Sequence, residues 1–424
     1  MTINNNTPDI RFNGFSGDWA QLNFFNTLDS ITDFRGRTPK KLGLEWSDQG
    51  YLALSALNVK NGYIDFSLDR HFGNEELYQR WMSGKELYSG QVLFTTEAPM
   101  GNVAQVPDDK GYILSQRTIA FNVKKDTLTD GFLATLLRSP YTSNKLESMT
   151  SGGTAKGVSQ KSLASLEVTI APNTKEQTAI SKFFQNIDET IALSRRKHEK
   201  TKTLKNAFLS KTFPQAGKKQ PEIRLKGFSE DWIEKKLDDL VERVPSYPLS
   251  RSIETNENTP YRYIHYGDIH RGKLKVIDSE ELLPNIHRGN YDLLKKGDLV
   301  VADASEDYEG IANPCVLNCD LQDNIVAGLH TIAIRPINTD SLYLYYLLHT
   351  ESFKKHGKFI GTGTKVLGIT TKNVLKFKSS FPDIEEQAAI GQFFKQLDDT
   401  LALQAKQLKA LENLKKALLA KMFV

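Results

Sequence analysis

The chain is written twice. Residues 8–19 read PDIRFNGFSGDW and residues 221–232 read PEIRLKGFSEDW, identical at eight of twelve positions. Residues 175–213 recur at 385–423 with sixteen of thirty-nine positions identical, at a constant shift of 210. Between these anchors Tyr51–Asp65 lies over Tyr261–Lys275, and Gly90-Gln-Val-Leu-Phe over Gly297-Asp-Leu-Val-Val. Phe132–Leu137 corresponds in character to Tyr343–Leu348. Length alone would allow two to four domains. The repeat sharpens this to a module of about half of the 424 residues, far longer than the roughly 20–45-residue unit of a solenoid. Both halves keep the full scaffold, which fits two similar readers of two different things better than one working half with an inert copy.

Each module closes in a long helix. Pro172 and Pro382 disfavour helix just before themselves. Asn173 then stands three residues before Glu176, and Asp383 three before Glu386, the spacing of a capping box with a reciprocal acidic partner. In the second helix apolar residues fall at Ile390, Phe394, Leu397, Leu401, Leu408, Leu411, Leu418 and Met422, a heptad seam interrupted by Gln404 and Lys415. The first runs Ile180, Phe184, Ile187, Ile191, turns polar at Ser194, His198 and Thr201, and resumes at Leu204 and Phe208. Helices of about 38–40 residues are about 57–60 Å long and need a partner for their stripe. Equal length and phase predict that they pair with each other through Phe184, Ile187, Ile191, Phe394, Leu397, Leu401, Leu408 and Leu411, more loosely in the polar middle.

Ahead of each helix the pattern is mixed α/β, of the α+β type. Short β-rich runs at Gly50–Leu54, Val92–Thr96 and Ile119–Val123 have counterparts at Tyr263–Tyr266, Leu299–Ala302 and Ile332–Ile334. Helical stretches follow at Thr129–Leu137 and Ser341–Leu348, then glycine-rich turns at 151–159 and 361–370. The expected division is a first recognition domain over 1–172, a spacer helix over 173–213, a second domain over 214–382 and a second helix over 383–424.

Active-site patterns do not emerge. The sequence has no GxxxxGK[ST] loop and no GxSxG elbow. The glycine-rich turns read as tight turns, not phosphate cradles. Cys315 and Cys319 have no second Cys/His pair at zinc spacing, so buried thiols are expected and no metal site. Of eight histidines, only His71 and His198 precede residue 214, so no histidine-based site is shared by the halves. The acidic run Asp303-Ala-Ser-Glu306-Asp307 reads as a solvated loop. Two cysteines, no leader-like start and no apolar run near 18–20 residues point to a cytoplasmic protein that crosses no membrane.

The net charge of +4 is mild, but its distribution is not. The segment 175–213 holds nine basic and four acidic residues, leaving each globular domain near −1. Nucleic-acid contact would then depend on local patches. The candidates are Arg35, Arg37, Lys40 and Lys41 with Ser115, Gln116 and Arg117 in the first domain, the latter carrying side chains able to read base edges. In the second they are His270, Arg271, Lys273, Arg288, Lys354, Lys355 and Lys358.

Two α/β domains, each ending in a heptad helix that opens Glu176-Gln-Thr-Ala-Ile-Ser-Lys-Phe-Phe184 or Glu386-Gln-Ala-Ala-Ile-Gly-Gln-Phe-Phe394, resemble the specificity subunit of type I restriction-modification systems. The openings at Phe15–Trp19 and Phe228–Trp232 match that family's habit too. The resemblance spans essentially the whole chain. It implies that each domain reads one half of a split double-stranded DNA target, and that the long helices pack as an antiparallel coiled coil between half-sites. It also implies that two methyltransferase subunits dock on the helices. S-adenosylmethionine, ATP and Mg chemistry would then lie on those modification subunits and on restriction/translocase subunits, with no cofactor and no catalytic residue on this chain. Two other readings stay open on the residues alone: a coiled-coil protein-binding adaptor without nucleic acid, and a stand-alone endonuclease.

Overall fold

The computed structural model describes residues 6–150, 157–215, 217–305, 312–360 and 367–424. The chain forms two compact units, Met1–Arg196 with Lys406–Val424, and Lys197–Ala405. Each unit therefore owns a stretch of both long helices.

The first unit contains strands β1 (Leu28–Asp33), β2 (Tyr51–Leu54), β3 (Val92–Thr95), β4 (Val103–Gln105), β5 (Ile113–Leu114) and β6 (Thr118–Val123). Strands β1, β6, β3 and β4 form an antiparallel sheet in that order, while β2 pairs parallel with β5. Side chains alternate across the sheet, and here both faces are covered. Val92, Phe94, Ile119 and Phe121 enter one core; Leu93, Ala104 and Ala120 enter another. That is why the run Val-Leu-Phe shows no polar alternation. Burying each such large side chain contributes about 1.5–3 kcal/mol.

The second unit repeats the plan with β7 (Val241–Val244), β8 (Tyr261–Ile264), β9 (Leu299–Ala302), β10 (Pro314–Leu317), β11 (Asn324–Ala327) and β12 (Thr331–Pro336). Strands β7, β12, β9 and β10 form the sheet in that order, with the short strand Val276–Ile277 added parallel to β10 at its edge, and β8 pairs parallel with β11. Leu299, Val301 and Ile332 face one core, Val300, Ala302 and Cys315 the other. Cys315 is fully buried, which pushes its thiol well above the ordinary range; Cys319 is only partly covered. The strand expected over Tyr263–Tyr266 ends at Ile264 instead. His265 caps a short helix, Tyr266–His270, by accepting the Gly267 N–H at 3.1 Å.

The long helices are α1 (Thr174–Thr212) and α2 (Ile384–Lys421). Asn173 and Asp383 cap them, accepting from Lys175 N and Glu386 N at 2.9 and 2.8 Å. The expected reciprocal glutamate contact does not form. Glu176, fully buried, receives Arg11 at 2.6 and 2.7 Å on its two oxygens; Glu386 receives Arg224 at 2.8 and 2.7 Å. A buried carboxylate needs a cation more than it needs the cap N–H. The next residue is a staple. Gln177 donates to Thr127 O and Ala171 O and accepts from Thr129 N; Gln387 donates to Pro382 O and accepts from Asp340 N and the Thr339 hydroxyl. The Glu-Gln pair thus ties the helix start to the opening segment and to the loop before the preceding short helix.

Within each unit the two helices run antiparallel. In the first, Lys415 meets Asp188 at 2.5 Å and Arg195 meets Glu412 at 2.5 Å. In the second, Lys205 meets Asp398, Thr201 meets Gln404 at 3.4 Å, and the Phe208 and Phe393 rings lie 5.3 Å apart. Each helix also ends inside a core. Phe423 packs on Trp19, Phe132 and Phe184; Phe213 packs on Tyr343 and Phe394. Of the expected seam residues, Phe184, Ile191 and Phe394 are buried, and Ile187, Leu397, Leu401, Leu408 and Leu411 are half-buried. Phe184 and Phe394 belong to the domain cores as well as to the helix pair.

Candidate nucleic-acid interface

In the first unit the structure gathers two of the predicted patches. The loop after β1 carries Arg35 and Arg37, and the short 3-10 turn Pro39–Leu42 carries Lys40 and Lys41. Ser115, Gln116 and Arg117 form the turn between β5 and β6. Gln116 donates to Arg37 O at 3.1 Å and so links the two segments. A cavity of about 370 Å³ opens between them, lined by Arg37, Trp46, Leu57, His71, Gln116 and Arg117, among others. Leu57 at its rim is 54% exposed.

The cations are not equivalent. Arg37 is held, donating to Trp81 O and lying 4.3 Å over the Phe34 ring. Arg35 grips Asp33 at 2.6 Å. Burial opposes the charge on Asp33, but hydrogen bonds from Arg35 and Gln160 outweigh it and keep the carboxyl below its usual range. Lys40 and Lys41 are exposed, with the Lys41 ammonium 2.7 Å from Gly36 O. Arg117 is exposed, has a left-handed backbone (φ +65°) and pairs with Glu97 at 2.9 Å.

In the second unit the predicted residues spread over three places. His270 ends the short helix with Nδ1 3.5 Å from the Ser305 hydroxyl; Arg271 and Lys273 follow on an exposed turn, with Lys273 3.7 Å from Asp268. Arg288 is exposed on a separate loop. Lys354, Lys355 and Lys358 stand on the helix Glu351–Ile360, whose described contacts run to Phe377, Asn373 and Pro214. These three places are the three separate segments that the sequence offers as the second domain's candidates.

Residues singled out by geometry alone lie beside the His270 turn. Arg251 donates to Glu254 at 3.0 Å and to Asp268 at 2.9 Å, and Tyr263 donates to Glu254 at 2.7 Å. His265 is held below its ordinary range by burial and then by Arg251. Tyr266 packs edge-on to His330, 5.3 Å between rings. His330, also left-handed at φ +55°, sits 3.2 Å from Asp303. Asp303 is not a solvated acid, as the sequence suggested: burial raises its carboxyl against the pull of His330. Glu306, Asp307 and most of both glycine-rich turns (151–156 and 361–366) lie outside the described residues. The excess of histidines in the second half was the available signal for His330; Trp46 and Tyr266 carried none.

A family model described as the type I restriction modification DNA specificity domain matches residues 26–203 and again residues 229–413. The type I restriction enzyme MjaVIII specificity subunit of Methanocaldococcus jannaschii is 24% identical over 333 residues, covering 75% of each chain. The putative type I restriction enzyme MjaX specificity subunit of the same organism is 23% identical over 368 residues, covering 81% of this chain and 80% of the other. Among solved structures, the type I restriction-modification S subunit from M. genitalium superposes with a TM-score of 0.62 at 17% identity, covering 99% of both chains. A chain from a study of complex assembly and conformational transition of the type I R-M system gives 0.53 at 19%, covering 96% and 97%. At these identities the structural likeness concerns the fold.

Proposed function

The chain belongs to the type I restriction-modification DNA specificity family, as a specificity subunit with two target-recognition domains, and from that premise we propose how it divides the work. Residues 1–172 and 214–382 each read one half of a bipartite double-stranded DNA target, and the helices of 173–213 and 383–424 space the two readings. The chain is non-catalytic. Two methyltransferase subunits dock on the helical region and carry the S-adenosylmethionine chemistry on adenine, and separate restriction/translocase subunits carry ATP and Mg chemistry. The assembly works in the cytoplasm; among the described residues no helix is long and apolar enough to cross a membrane.

One observation carries this reading. The buried staples recur in both units, Arg11–Glu176 with Gln177 and Arg224–Glu386 with Gln387, while the exposed side chains at equivalent turns differ. That is the pattern of one scaffold presenting two surfaces. Methylome sequencing of cells expressing the chain with its methyltransferase partner should return one bipartite motif. No split motif, or metal-dependent cleavage of DNA by the purified chain alone, would overturn the proposal.

A further inference from the structure

Strand register lets the two recognition domains be superposed residue by residue. Thr118 faces Thr95 across β6 and β3, and Thr331 faces Ala302 across β12 and β9. The residues just outside these pairs are therefore Arg117 with Thr96, and His330 with Asp303. Their hydrogen bonds agree: Thr96 N donates to Arg117 O at 2.8 Å, and Asp303 N to His330 O at 3.1 Å. Val158 N donates to Thr96 O and Ile369 N to Asp303 O, at 2.9 and 2.8 Å. Two residues earlier, Ser115 N and Gly328 N donate to Leu54 O and Ile264 O, the ends of β2 and β8. Arg117 and His330 thus occupy the same place in the fold, although 213 residues separate them, not the 210 of the helix repeat.

Both hold a left-handed backbone that glycine would adopt without strain, at φ +65° and +55°. Neither is buried, so neither side chain fills a core. Each is oriented by a carboxylate on the neighbouring strand end, Glu97 at 2.9 Å and Asp303 at 3.2 Å. Arg117 borders the cavity that also holds Arg37, Gln116 and Trp46, and His330 stands against Tyr266. A strained, exposed, carboxylate-steered residue recurring at one place with a different side chain each time does nothing for the fold that glycine would not do better.

We propose that this position is a specificity-determining contact in each domain: Arg117 reads a base edge in one half-site and His330 reads a base edge in the other. The inference rests on the DNA-reading function proposed above. The Arg117 fork matches the O6/N7 pair of a guanine. Asp303 accepts from His330 Nδ1 and leaves Nε2 for a single contact, so the two half-sites differ at the corresponding base.

The test uses the full chain in complex with its methyltransferase partner and the variants Arg117→Gly and His330→Gly, which keep the left-handed turn and remove only the side chain. Methylome sequencing is expected to show one position of one half-site turning degenerate in R117G, with discrimination there falling about 10- to 100-fold. H330G should do the same in the other half. Melting temperatures should be unchanged or higher. An unchanged motif in both variants, a change in both halves from one variant, or equal loss of methylation at every site with the motif intact would overturn the assignment. If the unaltered complex yields no bipartite motif, the DNA-reading function falls and this inference with it, and that result does not depend on either variant.

Discussion

The two units solve one problem with different chemistry. Asp188 and Asp398 stand 210 residues apart, and each meets a lysine of the other helix, Lys415 and Lys205, also 210 apart. In the first unit Asp188 takes a second cation, Arg138, at 2.5 Å. In the second Asp398 instead accepts from the Tyr346 hydroxyl at 2.8 Å. The place of Arg138 belongs there to His349, as counting on from the equivalent caps Thr129 and Asp340 shows. His349 is half-buried and donates from Nδ1 to Tyr345 O at 2.9 Å. The lesson is which parts are interchangeable. The Asp–Lys pair across the helix seam repeats, while the third group around it is a permanent cation in one unit and a neutral hydrogen-bonding set in the other.

The largest effects should come from the parts that repeat. Glu386→Ala leaves Arg224 without its carboxylate and is expected to cost about 3–5 kcal/mol, read from the urea midpoint of the full chain. Glu386 also accepts the Trp232 indole N–H at 3.1 Å, whereas the equivalent Trp19 Nε1 has no acceptor among the described residues. Glu176→Ala should therefore be milder by about 1–2 kcal/mol; equal losses would mean that the indole contact contributes nothing. Phe423→Ala and Phe213→Ala empty equivalent core positions and should each cost about 3–5 kcal/mol. A loss confined to one of them would break the equivalence of the two helix ends.

Acid should separate the units next. Burial, followed by repulsion from Lys205, holds His349 down at about 4. An unfolded histidine titrates near 6.5. Between these values the unfolded state binds the extra proton, so the contribution of His349 is complete above pH about 6.5 and is lost as pH falls toward 4, by up to about 3 kcal/mol. The equivalent place in the first unit holds the Arg138 guanidinium, paired with Asp188. Stability of the full chain at pH 4.5 and 7, with and without His349→Gln, checks this. The variant should flatten the slope over that window; an unchanged slope would place the acid sensitivity elsewhere.

How much of this was legible in the sequence follows from what is local. The helices were, because a heptad seam and a proline-flanked cap are read within a few turns, and the constant shift of 210 kept both copies in phase. The existence of the strands at Val92 and Leu299 was legible too. The capping box at Glu176 was misread because its carboxylate is taken by Arg11, 165 residues earlier, and no local pattern reports that distance. The pairing of Arg117 with His330 was hidden by the loops. The shift is 207 at Gly90 and Gly297 but 213 at Arg117 and His330, so only strand register aligns them. A left-handed turn at arginine or histidine has no glycine to announce it. Arg37 and Gln116 could be nominated by residue type, as part of a basic loop and as a side chain able to read base edges, but the cavity between them is also lined by Trp46 and Trp81, which no sequence pattern marks.

The smallest expected effect separates positioning from reading. Lys40 and Lys41 are exposed on the short turn that borders the Arg37 cavity, where a phosphate contact needs charge but no fixed geometry. Lys40→Gln and Lys41→Gln should each weaken DNA binding by the assembled complex uniformly across sequences. Each should also reduce the slope of log K against log salt by about 0.9. The motif itself should not change, in contrast to the single-base relaxation expected at Arg117. If instead either lysine variant altered a base preference with the salt slope intact, the boundary between grip and readout would have to move outward from the cavity rim onto this turn.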